Sequence, residues 1–129
     1  MKQKVAHLRD HYIVCGYGRI GKVICQILKE SHRPFVVIET NEEEIKNIES
    51  EGFYALAGEA SDDEILLAAG IMNASGLIAV VSSDADNVLI TLTARGLNPG
   101  LFILARSSGT PGAETKLIRA GSSKVISPY

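Results

Sequence analysis

The sequence is poor in the groups that cross-link small domains or bind metal ions. It has only two cysteines in 129 residues, Cys15 and Cys25, and they do not have metal-ligand spacing. Both stand among apolar residues, so we expect buried, reduced thiols of a cytosolic protein. No apolar run approaches the ~20 residues that cross a bilayer, and no signal peptide is present. The sequence therefore predicts no direct membrane insertion.

Neither sign of charge dominates the sequence. Lysine and arginine number 13 and aspartate and glutamate 15, for a net charge of −2. The basic residues are scattered, which argues against a nucleic-acid surface. With 46% hydrophobic residues the chain can bury one core, and its length leaves no room for a second catalytic domain. Another protein or a small anion is the expected partner.

The most informative stretch is a glycine motif near the start. A short apolar strand, residues 12–15, leads into Gly16, Gly18 and Gly21, spaced G-x-G-x-x-G, and a helix begins on the last of them. Gly16 allows a tight turn, Gly18 lets a phosphate approach the backbone, and Gly21 lets the helix pack close to the sheet. An anion would then lie on the free N–H groups of that helix.

A second predicted strand, residues 35–38, ends at an acid, Glu39. This acid follows Gly21 by 18 residues, the distance at which a carboxylate can accept both hydrogen bonds of an adenosine ribose. The alternative is a glycine-rich turn that only packs. The strand, turn, helix and acid in this order favour a nucleotide site.

Apolar strands and amphipathic helices alternate along the rest of the chain. The remaining predicted strands are residues 53–57, 76–81, 101–105 and 124–127. Six strands and five helices with short connections predict a three-layer, doubly wound, Rossmann-like α/β fold with a parallel sheet. Right-handed crossovers and a reversal after the third strand give the order 3-2-1-4-5-6. The crevice edge would then hold the glycine loop, Glu39, Gly58-Glu59-Ala60, Ser82 and Arg106.

Several acidic runs are better explained by helix starts than by metal or acid–base chemistry. Thr40 with Glu43, and Ser61 with Glu64, have capping-box spacing. Asp84 is the expected cap of a helix over residues 85–95. Thr110 is the expected cap of a helix that begins at Pro111 and ends near residue 121.

Several motifs together resemble one family, the RCK domain (regulator of potassium conductance), also called the TrkA N-terminal domain. They are HYIVCGYGRIG at 11–21, VIE at 37–39, GEA at 58–60, VSSDADN at 81–87 and LAR at 104–106. The resemblance covers nearly the whole chain, with residues 1–10 as a lead-in or linker and 11–129 as the nucleotide-binding domain. It implies a cytoplasmic ligand-sensing domain, at the inner face of the membrane, that binds NAD(H) or ATP, ADP or AMP and regulates a potassium channel or transporter.

The resemblance also implies site residues and partners. Gly16, Gly18 and Gly21 would hold the phosphates with Arg19, Glu39 would hold the ribose, and Glu59 and Ala60 would flank the adenine. The full predicted set of cofactor-binding residues is Gly16, Tyr17, Gly18, Arg19, Ile20, Gly21, Glu39, Thr40, Gly58, Glu59, Ala60, Ser82 and Arg106. Family members form homodimers through the second half of the fold, and the dimers form a gating ring.

Two features depart from the family pattern. Glu59 replaces the commoner aspartate, and neither the smaller C-terminal domain nor pore helices are present. The His11-Tyr12 entry after a charged lead resembles the junction between a pore helix and the ring in channel subunits. We therefore expect these residues to be a segment of a longer channel subunit.

The alternative is the cofactor-binding half of an NAD-dependent oxidoreductase, which needs a proton relay beside the nicotinamide. The sequence has no Tyr-x-x-x-Lys pair, and its three histidines, at 7, 11 and 32, fall at or before the amino ends of strands. We therefore predict no catalytic residue. Glu39 would repel a 2′-phosphate, which disfavours NADP. Asp84, Asp86 and Glu59 lack the spacing of a cation site, so no metal site is assigned.

Overall fold

The computed structural model describes residues 5–127. Residues 1–4 of the predicted lead-in and residues 128–129 of the predicted domain lie outside the described part. Six strands form one sheet in the order β3-β2-β1-β4-β5-β6, and every neighbouring pair is parallel. The strands are β1 (Tyr12–Cys15), β2 (Phe35–Glu39), β3 (Tyr54–Ala57), β4 (Gly76–Ala79), β5 (Phe102–Arg106) and β6 (Lys124–Ile126). The predicted fold class and strand order are confirmed.

Five α-helices that lie wholly within residues 5–127 cover the two faces of this sheet. They are α1 (Arg19–Glu30), α2 (Glu42–Ser50), α3 (Asp63–Ala68), α4 (Asp84–Leu97) and α5 (Ala113–Ala120), with a 3₁₀ turn at Ile71–Asn73. Helices α1 and α2 share one core cluster, to which they contribute Cys25 and Ile48. Helices α3, α4 and α5 pack into the second cluster through Leu66, Ile90 and Leu117. The chain therefore forms three layers, because each face of the sheet is apolar and needs its own helices.

The strand order reverses between β1 and β4, and this reversal positions the site. The chain builds outward from β1 to β3, crosses the sheet through α3, and returns as β4 on the other side of β1. Cys15 pairs with Ala79, so β1 and β4 end at the same level. The loops that follow them diverge to opposite faces, which leaves a crevice at the carboxyl edge.

The lead-in packs against the amino edge of the sheet. Val5 is fully buried in the core, and Leu8 packs beside it. The imidazole of His11 is buried, and its Nε2 lies 2.7 Å from the carbonyl oxygen of Ala69. Because a carbonyl only accepts hydrogen bonds, Nε2 carries the proton. The domain boundary at residue 11 remains a prediction. Val5 and Leu8 before it pack in the same core cluster as Ile13 after it.

The predicted cap of α2 is wrong by one residue. Asn41, not Thr40, precedes the helix, and its side chain accepts a hydrogen bond from the N–H of Glu44 at 3.0 Å. Glu39 already binds the N–H of Thr40. This contact holds Thr40 in the loop, so the helix begins one residue later.

Helix α4 also has a different cap from the predicted one. Ser83 accepts the hydrogen bond from the N–H of Asp86, and the helix begins at Asp84 itself. The carboxylate of Asp84 binds the N–H of Ser108 at 2.8 Å and the hydroxyl of Ser108 at 2.5 Å. Asp84 therefore ties the loop after β5 to the start of α4.

The starts of α3 and α5 differ from prediction as well. Asp62 precedes α3 and makes no side-chain cap, so the Ser61–Glu64 capping box does not form. Helix α5 begins at Ala113, two residues after Pro111, because residues 110–112 form a turn that ends in the left-handed region.

Both cysteines are free and buried, as expected. Burial raises the pKa of the Cys25 thiol to about 12, and it raises the pKa of Cys15 further. These thiols therefore remain protonated and serve as core side chains.

Candidate functional site

A cleft of about 770 Å³ opens at the carboxyl edge of the sheet. The loops after β1, β2, β3 and β4 and the last residue of β5 contribute to it, as expected for a switch point. Twelve of the thirteen predicted site residues line this cleft. They are Gly16, Tyr17, Gly18, Arg19, Ile20, Glu39, Thr40, Gly58, Glu59, Ala60, Ser82 and Arg106. Their role in binding a cofactor remains a prediction.

The thirteenth predicted residue, Gly21, lies beneath the loop. A Cβ at Gly21 would overlap the carbonyl oxygen of Gly16, so this glycine is needed for the fold itself. Gly16 adopts a φ of +105°, and a Cβ there would lie 3.1 Å from the carbonyl oxygen of Val80. Gly18 is different, because a Cβ there would meet no atom within 4 Å. The fold requires Gly16 and Gly21, whereas Gly18 leaves its face open toward the cleft.

The first helix begins at this open glycine. Helices α2 and α4 are capped by the side chains of Asn41 and Ser83, but α1 follows Gly18, which has no side chain. The first N–H groups of a helix have no partner within the helix. With the positive end of the helix dipole, they form a place where an anion is stabilised.

Glu39 joins the glycine loop to the loop after β2. Its Oε1 accepts a hydrogen bond from the N–H of Tyr17 at 2.8 Å. Its Oε2 accepts from the N–H groups of Thr40 at 3.0 Å and Asn41 at 2.9 Å. The acid therefore lies at the predicted edge, but the chain's own backbone already engages it.

The loop after β3 forms one wall of the cleft. The N–H of Gly58 donates to the carbonyl of Glu39 at 3.1 Å, which fixes this loop beside the acid. Ala60 is buried, while the Glu59 side chain is exposed. This wall therefore combines an apolar patch with a solvated carboxylate.

Asn87 holds the opposite wall together, and the sequence reasoning missed it. Its side chain is buried, with Oδ1 accepting from the N–H of Val81 at 3.1 Å. Its Nδ2 donates to the carbonyls of Val81 at 2.9 Å and Arg106 at 3.1 Å. Asn87 thus ties the ends of β4 and β5 beside Ser82. An amide on the same helix face as the apolar Ile90 and Ala94 was the available signal.

The cleft brings two arginines together with several carboxylates. Arg19 begins α1 and is exposed, and Arg106 ends β5. The Nε of Arg106 is buried and has no hydrogen-bond acceptor within residues 5–127. A buried donor of this kind costs free energy unless it is paired, so a bound anion would satisfy it. The residues present therefore fit a phosphate-bearing ligand.

Two carboxylates near the rim are held in their ionised form. Hydrogen bonds from the Ser108 hydroxyl and N–H, with the charge of Arg106, lower the pKa of Asp84. A hydrogen bond from Asn47, with the charge of Lys22, lowers the pKa of Glu44. In the described part of the chain, no three His, Cys, Asp or Glu side chains are grouped so that they could hold a metal ion. The same residues include no helix of the length and apolarity that crossing a membrane requires.

Residues 12–128 match the model of the TrkA-N domain. Two relatives from Methanocaldococcus jannaschii cover 100% of this chain. Potassium channel protein 1 is 43% identical over 131 residues, and probable potassium channel protein 2 is 46% identical over 132 residues. The chain covers only 39% and 38% of their respective lengths.

Solved structures agree with these matches. The TrkA-N domain of the Escherichia coli inner membrane protein ybaL has a TM-score of 0.89 and 28% identity, over 95% of this chain and 90% of that one. GsuK bound to ADP has a TM-score of 0.84 and 27% identity, over 95% of this chain and 32% of that one. The GsuK channel bound to NAD has a TM-score of 0.84 and 28% identity, over 93% and 22%. The matches confirm the resemblance read from the sequence.

Proposed function

The chain belongs to the TrkA-N domain family, and from this premise we propose that it is a nucleotide-binding regulatory domain of a potassium channel or transporter. The observation that carries the binding proposal is the open face of Gly18 at the uncapped start of α1, inside the cleft. The ADP and NAD complexes of GsuK support the same ligand class.

Each part of the cleft has a role in this proposal. The phosphates lie on the N–H groups at the start of α1, with Arg19 and Arg106 supplying positive charge. The free Oε1 position of Glu39 accepts from the ribose. Ala60 packs against the adenine, beside Glu59. A cleft of about 770 Å³ is large enough for a mononucleotide or a dinucleotide.

We propose binding rather than turnover as the role of this cleft. Within residues 5–127 no histidine or lysine lines it. His11 is buried at the other edge of the sheet, and His7 and His32 are exposed. Proton transfer beside a nicotinamide needs a positioned acid or base within hydrogen-bond reach. Among the described residues, the cleft offers neither a histidine nor a lysine for that role.

Gating follows from differential binding. A nucleotide shifts a channel between two states only by the difference in its affinity for them. Since the chain spans about two fifths of its channel relatives, the attached membrane gate and the inner-face location are part of this proposal.

We also propose that the domain pairs as a homodimer through α4 and α5. Leu89 and Leu92 on α4 and Ile118 on α5 are each at least half exposed, and the two helices pack beside each other. Exposed apolar side chains of this kind are typical of an interface.

Calorimetric titration with NAD, NADH, ATP, ADP and AMP tests the binding proposal. We expect at least one of them to bind the wild-type domain and to bind Gly18→Ala at least tenfold more weakly. Gly100→Ala is the matched control, because a Cβ there also meets nothing within 4 Å but lies outside the cleft. Absence of binding at millimolar concentration would refute the proposal.

A further inference from the structure

Glu39 makes contacts that a ribose-binding role does not require. Its carboxylate accepts three main-chain hydrogen bonds, from Tyr17, Thr40 and Asn41, at 2.8, 3.0 and 2.9 Å. A carboxylate has about four acceptor positions, two on each oxygen. Oε2 uses both of its positions and Oε1 uses one. A single position therefore remains for a ribose hydroxyl, whereas the sequence led us to expect two.

The contact with Tyr17 lies inside the glycine loop. Tyr17 stands between Gly16, whose φ is +105°, and Gly18, whose face is open. Glycine loses more conformational freedom on folding than any other residue. The Tyr17 side chain is buried in the core cluster that α1 and α2 share, and a hydrogen bond to its N–H restrains the main chain between the two glycines as well.

We propose that Glu39 is a positioning residue that holds the glycine loop in its phosphate-binding shape before a nucleotide arrives. The carboxylate bonds to both the loop after β1 and the loop after β2. The conformational entropy of the glycine loop is therefore lost when the chain folds and not when the nucleotide binds. This inference rests on the proposed nucleotide-binding function. It assigns Glu39 an effect on the phosphates in addition to its contact with the ribose.

The chemistry of the contact explains why a glutamate is suited to it. Glutamine has one acceptor oxygen, and its NH₂ group would face an N–H donor, so it cannot hold both loops. Aspartate keeps the charge, but its shorter side chain can serve only its own loop, at Thr40 and Asn41. Glu39→Gln therefore tests the need for the carboxylate charge, and Glu39→Asp tests the need for the length of the side chain.

Inorganic pyrophosphate is the decisive probe because it has phosphates but no ribose. If Glu39 acts only on the ribose, Glu39→Gln leaves pyrophosphate binding unchanged or strengthens it, because a negative charge near the anion is removed. If Glu39 positions the loop, Glu39→Gln weakens pyrophosphate binding despite the lost repulsion. We expect a loss of about tenfold, equivalent to one charged hydrogen bond.

The binding experiment compares pyrophosphate, ADP and 2′,3′-dideoxy-ADP on wild type, Glu39→Gln and Glu43→Gln. Glu43 is the matched control, an exposed acid in the first turn of α2 that does not line the cleft. We expect all three ligands to lose affinity in Glu39→Gln and none to do so in Glu43→Gln. A loss confined to ADP would overturn the inference.

Amide hydrogen exchange without ligand tests the same contact independently. We expect the Tyr17 amide to exchange about tenfold faster or more in Glu39→Gln than in wild type, and not in Glu43→Gln. If Glu39→Gln does not fold, Glu39→Asp should expose the Tyr17 amide while the Thr40 and Asn41 amides stay protected. Unchanged Tyr17 exchange would overturn the positioning role. Failure of every nucleotide to bind would instead refute the proposed function, and the exchange result would still decide the contact.

Discussion

The two edges of one sheet differ in how they use their polar groups. At the amino edge the lead-in covers the sheet, and the Nε2–H group of His11 donates a buried hydrogen bond to the carbonyl of Ala69, while its Nδ1 has no partner within residues 5–127. At the carboxyl edge the loops diverge, α1 starts without a side-chain cap, and the Nε of Arg106 lacks an acceptor within residues 5–127. The same parallel strands thus end in a closed edge and in an edge whose N–H donors are available to a ligand.

The amino edge is closed by main-chain contacts as well. The N–H of Asp10 donates to the carbonyl of Asn73 at 2.9 Å, and the N–H of Ser75 donates to the carbonyl of His11 at 2.7 Å. Residues 10 and 11 therefore bond to residues 73–75, which follow α3 in the chain. Helix α3 begins two residues after Ser61, which lines the cleft, so residues 63–75 connect the carboxyl edge to the amino edge.

The glycines of the loop provide the largest expected difference between fold and binding. In Gly21→Ala the new Cβ overlaps the Gly16 carbonyl, and we expect the free energy of unfolding to fall by more than about 3 kcal/mol. In Gly18→Ala we expect a change below about 0.5 kcal/mol, because the new Cβ meets nothing. Denaturant unfolding of the two variants checks this. Equal losses of stability would contradict the different roles given to the two glycines, in which the fold requires Gly21 but not Gly18.

Asn87 should affect both stability and binding at the carboxyl edge. Asn87→Ala removes three hydrogen bonds and leaves the Val81 and Arg106 backbone groups without this partner. We expect a loss of about 3 kcal/mol in the free energy of unfolding, with weaker nucleotide binding. Urea unfolding and calorimetry measure the two effects.

Thr93→Ala is the control on the same helix, since Thr93 is only half-buried and its one hydrogen bond described is to the Leu89 carbonyl. A stability loss in Asn87→Ala as small as that of the control would contradict the role given to Asn87.

His11 should affect stability alone. His11→Ala leaves the Ala69 carbonyl without this donor and opens a cavity, so we expect a loss of about 2 kcal/mol in the free energy of unfolding. Nucleotide affinity should stay within twofold of wild type, because His11 lies at the closed edge. His7→Ala, at an exposed histidine of the lead-in, should change neither quantity. A large loss of affinity in His11→Ala would mean that the two edges are coupled through α3.

The sequence predicted the parts of this molecule that depend on spacing and periodicity. Strand order, the switch point and the glycine loop follow from the alternation of apolar strands with helices and from the positions of Gly16, Gly18 and Gly21. Local hydrogen-bond competition was harder to predict. The helix caps are Asn41 and Ser83, each one residue away from the predicted cap. The predicted residues are engaged elsewhere, because the Thr40 N–H bonds to Glu39 and the Asp84 carboxylate bonds to Ser108.

Long-range polar contacts escaped sequence reasoning entirely. The contact of Glu39 with Tyr17 spans 22 positions, and that of Asn87 with Arg106 spans 19. No periodicity signals such pairs, because they depend on how two loops approach each other in the folded chain.

A titration of the ¹⁵N-labelled domain with ADP, followed by amide chemical shifts, tests the central claim most directly. We expect the largest shifts at the carboxyl edge and none at the amino edge. The amides to compare are Tyr17, Gly18, Arg19 and Ala60 at the first edge, and Asp10, Gly70 and Ser75 at the second. Saturable shifts at the first group alone would support a ligand cleft at the open edge. Shifts centred on the second group, or none at saturating ADP, NAD and AMP, would contradict it.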